Sequence, residues 1–313
     1  MKKYIISFSV LLFSICYSQD KISGYVIFDY ENIHGSDNFD INRAYFQYAE
    51  DISDELFFKI RFDVGRDADE EDSKLSTYIK NAYIDWNCSW GGKLSMGLIG
   101  TNTYGVQENT WGYRFIEKSV LDKYGMTNTA DFGIGYSVNF GNLNVNIQSL
   151  NGEGYKNTDA DGNQSLYMRL LYGESSLNKN TGYNLGAVMS TSLGDETEDM
   201  VGFFGGLSSD EYRIGFEHNS NSQTFTEEAT SLYVSYSLNS NLDMFYRYDI
   251  NNENADNEET DSDGDGITDF SNEDVCTSLI GIVWNPTKGL YIAPNVIIGE
   301  NDNTYRVTCM FKY

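Results

Sequence analysis

The sequence predicts an all-β fold, a transmembrane antiparallel β-barrel of about sixteen strands. Three observations lead to this prediction. Apolar and polar residues alternate with a period of two along much of the 313-residue chain. The candidate strands are about ten residues long, the length at which a tilted strand crosses a bilayer. Short turns and longer loops also follow one another, as they do at the two rims of a membrane barrel.

Composition excludes several classes of protein. The chain has 24 tyrosines, 18 phenylalanines, two prolines and two histidines, and its 47 acids outnumber 21 bases. Disordered chains are poor in aromatic residues, so this chain is expected to fold. The net charge of -26 argues against nucleic-acid binding, which needs a basic face for phosphates. Neither histidine lies in a recognisable nucleophile motif, so we expect no enzymatic activity.

The first residues resemble an export signal. A pair of lysines precedes an apolar run at residues 4–15, and the small residue Ser18 follows shortly after it. This pattern predicts a signal peptide over residues 1–18 and a mature chain over 19–313. No later stretch approaches the ~18 continuous apolar residues of a membrane helix. An exported chain of this kind is either soluble outside the inner membrane or a barrel in the outer membrane.

The strand pattern is clearest near residue 60. Five apolar residues form one face there, and a largely charged set forms the other: Leu56, Phe58, Ile60, Phe62 and Val64 alternate with Phe57, Lys59, Arg61 and Asp63. The same alternation recurs at residues 94–98, 132–138, 143–147, 183–189, 212–216, 242–248 and 305–313. A soluble β-sandwich would also alternate, but the strand lengths and the alternating short and long connections favour a membrane barrel.

Two strands fit the pattern poorly. In residues 75–86, the outward set of Ala82, Ile84 and Trp86 also places Lys80 outward, where lipid makes a charge costly. A bulge or an early rim would remove this conflict, and both remain open. The first strand, residues 22–32, is apolar on both faces for several residues.

Several segments carry a resemblance to a known family. They are residues 42–46 (NRAYF), 58–65 (FKIRFDVG), 81–86 (NAYIDW) and 111–122, together with the terminal aromatic Tyr313. The chain resembles the phosphate-selective porin O and P family and, more broadly, the sixteen-stranded general porins. The resemblance is best over residues 20–150. It implies a barrel in the outer membrane of a Gram-negative-type bacterium and suggests a homotrimer.

The third loop, residues 101–130, is expected to contain one short helix. Its middle, residues 111–124, lacks strand alternation, and Phe115, Ser119 and Asp122 fall at steps of four and three. The resemblance implies that this loop folds inward, rests on the barrel wall and narrows the lumen. The alternative is a helix that only packs over the mouth.

The strand phases and the third loop together assign a set of charges to the pore lining. They are Arg43, Lys59, Arg61, Asp63, Asp85, Arg114, Glu117, Lys118, Arg169, Arg213, Glu217, Asp243, Arg247 and Arg306. Opposing rows of charge would set a field across the pore and bias the passage of ions. The same side chains could instead pair across neighbouring strands and keep the wall rigid. The arginine ladder and lysine cluster of phosphate-selective members are not found, so anion specificity is not carried over.

The loop at residues 251–274 is rich in acids and has no base. Five of its residues have the spacing of oxygen ligands in a calcium loop, with Gly266 at the sharp turn: Asp261, Asp263, Asp265, Ile267 through its carbonyl, and Asp269. The segment also resembles the thrombospondin type 3 repeat. Position 12 is Asn272 instead of the usual Glu, so weak Ca2+ binding at the outer face is expected. The alternative is a solvated acidic loop.

These features together predict a porin. We expect passive diffusion of small hydrophilic solutes or ions through a water-filled lumen, with outer-membrane lipid around the barrel. The acidic rim would raise the local cation concentration. The alternative is a structural or adhesive barrel that shares the strands but does not conduct.

Overall fold

The computed structural model describes residues 21–33, 36–66, 74–158, 162–194, 199–222, 226–254, 272–300 and 302–313. The expected signal peptide lies outside these residues, and so do all five candidate calcium ligands. Helices in the described part of the chain are too short and too polar to span a bilayer.

Sixteen strands form one closed antiparallel barrel, which confirms the predicted fold class. Each strand pairs with the next along the chain, and β1 pairs with β16 to close the ring. The strands are β1 Ile22–Ile33, β2 Ser36–Asp51, β3 Leu56–Arg66, β4 Leu75–Asn87, β5 Lys93–Gly100, β6 Ala130–Phe140, β7 Leu143–Leu150, β8 Ser165–Gly173, β9 Gly182–Ser192, β10 Asp199–Ser208, β11 Tyr212–Ser222, β12 Thr226–Asn239, β13 Leu242–Asn254, β14 Asn272–Thr287, β15 Leu290–Ile298 and β16 Asn303–Lys312.

Large apolar side chains cover the outside of the barrel. Ile134, Leu185 and Phe203 are each more than half exposed, at 53%, 59% and 55%, whereas the neighbouring Phe204 and Val188 are buried inside. An exposed apolar outer surface suits a lipid environment. Closure also pairs the strand edges, which lipid requires because it offers no hydrogen bonds to an unpaired backbone.

The connections fall on two rims. One rim, called here the turn rim, carries residues 52–55, 88–92, 141–142, 174–181, 209–211, 240–241 and 288–289. The opposite rim is called the loop rim, and its described connections include residues 101–129, 151–158, 162–164 and 299–300. Residues 101–129 are called the third loop below. The short strand β5 ends well before a full crossing, so this loop begins inside the barrel.

A β-bulge in β4 removes the conflict over Lys80. In the pairing of β3 with β4, Arg61 lies opposite Asn81 and Phe62 lies opposite Ile79, so Lys80 is an extra residue. The bulge turns Lys80 and Asn81 both inward, where they are 5% and 6% exposed, while Ile79 faces outward. The charge is therefore kept out of the lipid.

The core of the molecule lies inside the barrel, between the third loop and one part of the wall. Ile27 of β1 packs there with Trp111 and Phe115 of the loop and Val283 of β14. The adjacent Phe28 faces outward and is 41% exposed. The first strand is therefore apolar on both faces because one face meets lipid and the other meets the loop.

The third loop holds two short helices, α1 Gly105–Trp111 and α2 Val120–Lys123, instead of the single helix expected within residues 111–124. Gly112 ends α1 in the left-handed conformation, with φ 79°, which glycine adopts without strain. Ser119 then caps α2, and its side chain accepts a hydrogen bond from the Asp122 backbone. Phe115 therefore lies between the helices, and its spacing to Ser119 was misleading.

Candidate functional site

The third loop lies within the lumen and rests on one side of the wall. Helix α1 contacts β10 and β11, and α2 contacts β11 and β12. The start of the loop is held separately, because the Asn102 backbone donates to the Gln148 side chain of β7 at 3.0 Å. The loop is thus anchored at its base and along its length.

Three inward arginines from β11, β13 and β16 hold the middle of the loop. Each donates to a different backbone carbonyl: Arg213 to Trp111 at 2.9 and 3.2 Å, Arg247 to Lys118 at 2.5 Å, and Arg306 to Ile116 at 2.8 Å. We call these three residues the arginine clamp. Hydrogen bonds from a charged donor are stronger than neutral ones, so the clamp fixes the loop against this side of the barrel.

Two acids of the same wall complete the attachment. Glu217 accepts a hydrogen bond from the Val120 backbone at the start of α2, at 3.1 Å. Asp249 accepts from Lys123 at 3.1 Å and from Arg247 at 2.7 Å. Glu217 and Arg247 have no exposed surface, so they do not line the pore as expected. Their strand phase was inward, but the loop covers them.

Asp243 binds the third loop near the turn rim. Its carboxylate accepts a hydrogen bond from the Tyr113 hydroxyl at 3.0 Å. Burial raises the pKa of Tyr113 to about 12, so this hydroxyl stays protonated and keeps its donor role.

The opposite wall, formed by β2, β3 and β4, carries a basic group of four side chains. These are Arg43, Lys59, Arg61 and Lys80, called here the basic wall. Three of the four surround the Tyr45 ring, with charged atoms 4.9 Å (Arg61), 5.5 Å (Arg43) and 5.6 Å (Lys80) from its centroid. Cations over an aromatic face are attracted by its quadrupole, so the ring holds them close together.

Acids on the same strands neutralise only part of the positive charge of the basic wall. Asp63 is buried and lies 3.1 Å from Arg43, and Asp85 lies 2.7 Å from Lys93 of β5. Lys59, Arg61 and Asp85 are partly exposed although they face the interior. Water therefore reaches this side of the lumen, in contrast to the covered side under the loop.

The loop presents its own charges toward the basic wall. Arg114 pairs with Glu108 at 2.9 Å and with Asp122 at 3.2 Å, and Lys118 lies 3.3 Å from Asp122. Both acids are close enough to Lys80 and Arg43 of the basic wall to be influenced by their charges. The arrangement sets loop acids opposite wall bases, with Arg114 between the acids.

The two loop acids titrate differently. Burial raises the pKa of Glu108 above its ordinary value, and the opposing charge of Arg114 does not cancel this effect. Burial would raise the pKa of Asp122 as well, but Arg114 and Lys118 outweigh it and lower that pKa. At neutral pH, Asp122 is therefore the more firmly charged of the two.

Two other expected lining residues have local partners. Glu117 accepts a hydrogen bond from the Lys118 backbone at 3.1 Å. Arg169 of β8 donates to Asn144 of β7 at 3.0 Å, away from the arginine clamp. Lys80 was absent from the sequence-based set, because only the bulge turns it inward, and a phase conflict in β4 was its sole signal.

A cavity of about 580 Å³ lies between the third loop and the turn rim. The loop contributes residues 112–115 to its lining, and the rest comes from the wall and from residues of the turns. We call this space the inner vestibule.

Comparison with known proteins supports the barrel at the level of structure. No family model matches the sequence, and no curated protein matches it either. The structure of OmpF of Salmonella typhi in complex with daunomycin matches with a TM-score of 0.68 at 11% identity, over 93% of this chain and 97% of that chain. OmpT of Vibrio cholerae, an outer-membrane protein, matches with 0.63 at 11% identity, over 93% and 97%. A mutant porin of Rh. blastica matches with 0.61 at 14% identity, over 93% and 99%. At these identities, the matches establish the shared fold alone.

Proposed function

We propose that this chain is an outer-membrane porin that allows small hydrophilic solutes and ions to diffuse passively through its lumen. One observation carries the proposal. The arginine clamp holds the third loop against β11, β13 and β16, and Arg43, Lys59 and Arg61 of the basic wall stay partly exposed, although Lys80 is buried. A plugged barrel would bury charges on both sides of the loop.

The gap between the loop and the basic wall is the proposed constriction. Acids of the loop and bases of the wall face each other there, so a field crosses the path of a solute. In a narrow, low-dielectric passage, such a field acts more strongly than it would in bulk water. The constriction would therefore orient polar solutes and bias ions by charge.

The neighbours support this function and suggest an assembly. Three of them are described as OmpF, as an outer-membrane protein and as a porin, and a further OmpT structure is described as a trimer form. We infer a homotrimer in the outer membrane from these matches. The phosphate-selective family is not carried over, because no family model matches and the charges form a local group instead of a ladder.

Single-channel recording tests the proposal directly. The refolded mature protein is placed in a planar bilayer, with heat-dependent gel mobility as the check on folding. Steps of steady current are expected, and a salt gradient then gives the reversal potential. A correctly folded barrel without current would overturn the porin and favour a structural or adhesive barrel.

A matched pair of variants locates the constriction. Arg61→Gln with Lys80→Gln removes two charges of the basic wall, and the reversal potential should move toward cation preference. Arg169→Gln removes an inward arginine that hydrogen-bonds to Asn144 of β7, and it should leave the reversal potential unchanged. Equal shifts of the reversal potential in the double variant and in Arg169→Gln would place the selective region elsewhere.

A further inference from the structure

The inner vestibule combines aromatic rings with polar and charged side chains. Tyr25 and Tyr291 of the wall and Tyr113 and Phe115 of the loop contribute rings to its lining. Tyr25 and Tyr291 are partly exposed, whereas Tyr113 and Phe115 are each 8% exposed. Phe115 and Tyr291 lie 5.9 Å apart between ring centroids. The rings thus form a neighbouring set instead of isolated side chains.

The aromatic lining continues toward the constriction. The Tyr25 ring lies 4.8 Å from the Tyr45 ring, which the basic wall surrounds. Lys80 bridges the next interval, since its ammonium lies 5.6 Å from the Tyr45 ring and 5.2 Å from the Tyr155 ring. Neighbouring rings and cations therefore extend from Tyr155 at the loop rim, through Lys80 and Tyr45, to Tyr25 of the vestibule.

The charge of the vestibule is opposite to that of the whole chain. Four cations line it, Arg114, Lys179, Arg213 and Lys312, with the single carboxylate of Asp243. Arg114 already pairs with Glu108 and Asp122, so Lys179, Arg213 and Lys312 supply the positive excess. Asp243 is occupied by the Tyr113 hydroxyl, as described above. In a chain with a net charge of -26, this local excess of positive charge is a specific feature of the site.

We propose that the inner vestibule binds anionic saccharides, meaning pyranose sugars that carry a carboxylate. The proposal deepens the porin function and rests on it. The C–H faces of a pyranose ring pack on aromatic rings, and its hydroxyls suit the vestibule amides of Asn178, Asn241 and Asn285. The sugar carboxylate accepts charge-assisted hydrogen bonds from lysine or arginine.

Simpler ligands match only half of this lining. An inorganic anion would use the cations and leave the rings without a role. A neutral sugar would use the rings and amides, but the surplus positive charge would be uncompensated. Acids of the loop rim do not oppose the proposal, because salt screens charges beyond about 8–10 Å and the vestibule lies at the turn rim.

Direct binding tests the inference independently of conduction. Trigalacturonate is titrated by calorimetry into the refolded full mature chain in detergent, with maltotriose and inorganic phosphate as comparison ligands. We expect trigalacturonate to bind and to reduce the single-channel current in a saturable manner. Maltotriose and phosphate should each bind at least about tenfold more weakly, since each lacks one class of contact.

Two variants and two matched controls assign the binding to the vestibule. Tyr291→Leu and Lys179→Gln should each weaken trigalacturonate binding about fivefold, the effect of losing one aromatic or charged contact. Tyr78→Leu and Lys156→Gln make the same changes in a tyrosine–lysine pair at the loop-rim end, where the ammonium lies 5.3 Å from the ring. These controls should bind as the unmodified protein does.

The outcomes separate the two proposals. Normal current without trigalacturonate binding would overturn the saccharide site and leave the porin intact. Equal binding of phosphate, unchanged by Tyr291→Leu, would show a general anion site, and equal binding of maltotriose would show a neutral one; either result overturns the inference. Binding to a folded barrel that carries no current would uphold the site and overturn passive diffusion.

Discussion

Arg247 has no exposed surface, yet its guanidinium contacts three groups. It donates to the Lys118 carbonyl at 2.5 Å and to Asp249 at 2.7 Å, and it lies 5.4 Å from the centre of the Trp111 ring. A buried charge is tolerated only when it is paired and hydrogen-bonded. These contacts place Arg247 at the centre of the attachment between the third loop and the wall.

Replacing Arg247 should loosen this attachment. Arg247→Gln removes the charge and leaves Asp249 with Lys123, so we expect a loss of about 3 kcal/mol, typical of breaking a buried ion pair. The midpoint of heat-induced gel mobility change measures it, and the open-channel current should become noisier. Arg169→Gln is the control. Equal destabilisation by both substitutions would show that the loop contacts add nothing specific.

Glu108 should give the constriction a pH response. Its raised pKa means that it loses its charge at a pH above 4.5, its ordinary value, while the lowered pKa of Asp122 keeps that acid charged below 3.8. The reversal potential should therefore step toward anion preference as the pH falls through the raised pKa. The step should vanish in Glu108→Gln, and its persistence there would assign it to another group.

The raised pKa of Glu108 also affects the stability of the folded state. Folding raises the pKa of Glu108, so the native state disfavours the ionised form. This group therefore costs stability at neutral pH, and the cost fades as the pH falls through its raised pKa. Glu108→Gln should make the heat midpoint less dependent on pH in that range.

For the arginine clamp, the sequence predicts which way the side chains face but not which groups they contact. The period-two phase placed Arg213, Arg247 and Arg306 inward, and the structure agrees. Their partners are backbone carbonyls of a loop far away in sequence, and Arg306 and Ile116 are 190 positions apart. A carbonyl is present at every residue and carries no side-chain signature, so no pattern could have identified these contacts.

The β-bulge of β4 decides which face of one strand meets the lipid. Lys80 and Asn81 share the inward position opposite Arg61, and regular alternation resumes on both sides. Local sequence shows the conflict, but the cross-strand pairing that places the extra residue is a tertiary property. The third loop shows a related limit, because Gly112 and Ser119 divide what a spacing of four and three suggested was one helix.

Removing the extra residue should be tolerated. Deleting Asn81 leaves Lys80 opposite Arg61 and Ile79 opposite Phe62, so both faces of β4 keep their phase. Deleting Asn146, an inward asparagine of the unbulged strand β7, shifts half of that strand by one residue and exposes polar groups to lipid. Heat-dependent gel mobility should show a folded band for the first deletion and none for the second. A reversed result would contradict the bulge.

Acidic and basic residues are unevenly distributed over the whole molecule. Acids dominate the sequence of residues 251–274, whereas cations dominate the inner vestibule near the turn rim. The sequence could show the acidic run, because like charges are contiguous there. It could not show the vestibule, whose cations come from the third loop, a turn and two strands.

We propose that the acidic loop binds Ca2+ weakly through Asp261, Asp263, Asp265, Asp269 and the Ile267 carbonyl. The ligand spacing supports this, and oxygen ligands are those that Ca2+ prefers. Calorimetric titration of the mature protein should show one weak site, lost when Asp261, Asp263 and Asp265 are changed together to Asn. Changing three acids at 253, 258 and 259 to their amides is the control for charge. Equal losses would indicate a diffuse ion atmosphere instead of a site.

The arginine clamp also bears on the order of folding events. Two of its members lie on β13 and β16, near the end of the chain, but they hydrogen-bond to the third loop, which follows β5. Contacts this distant in sequence form late, since a long stretch of chain must first be brought together. The loop cannot be fully secured until β16 is in place beside β1. Pairing of β1 with β16 and attachment of the third loop to the wall are therefore one event. A folding intermediate in which β1 and β16 are still unpaired would have an incompletely attached third loop.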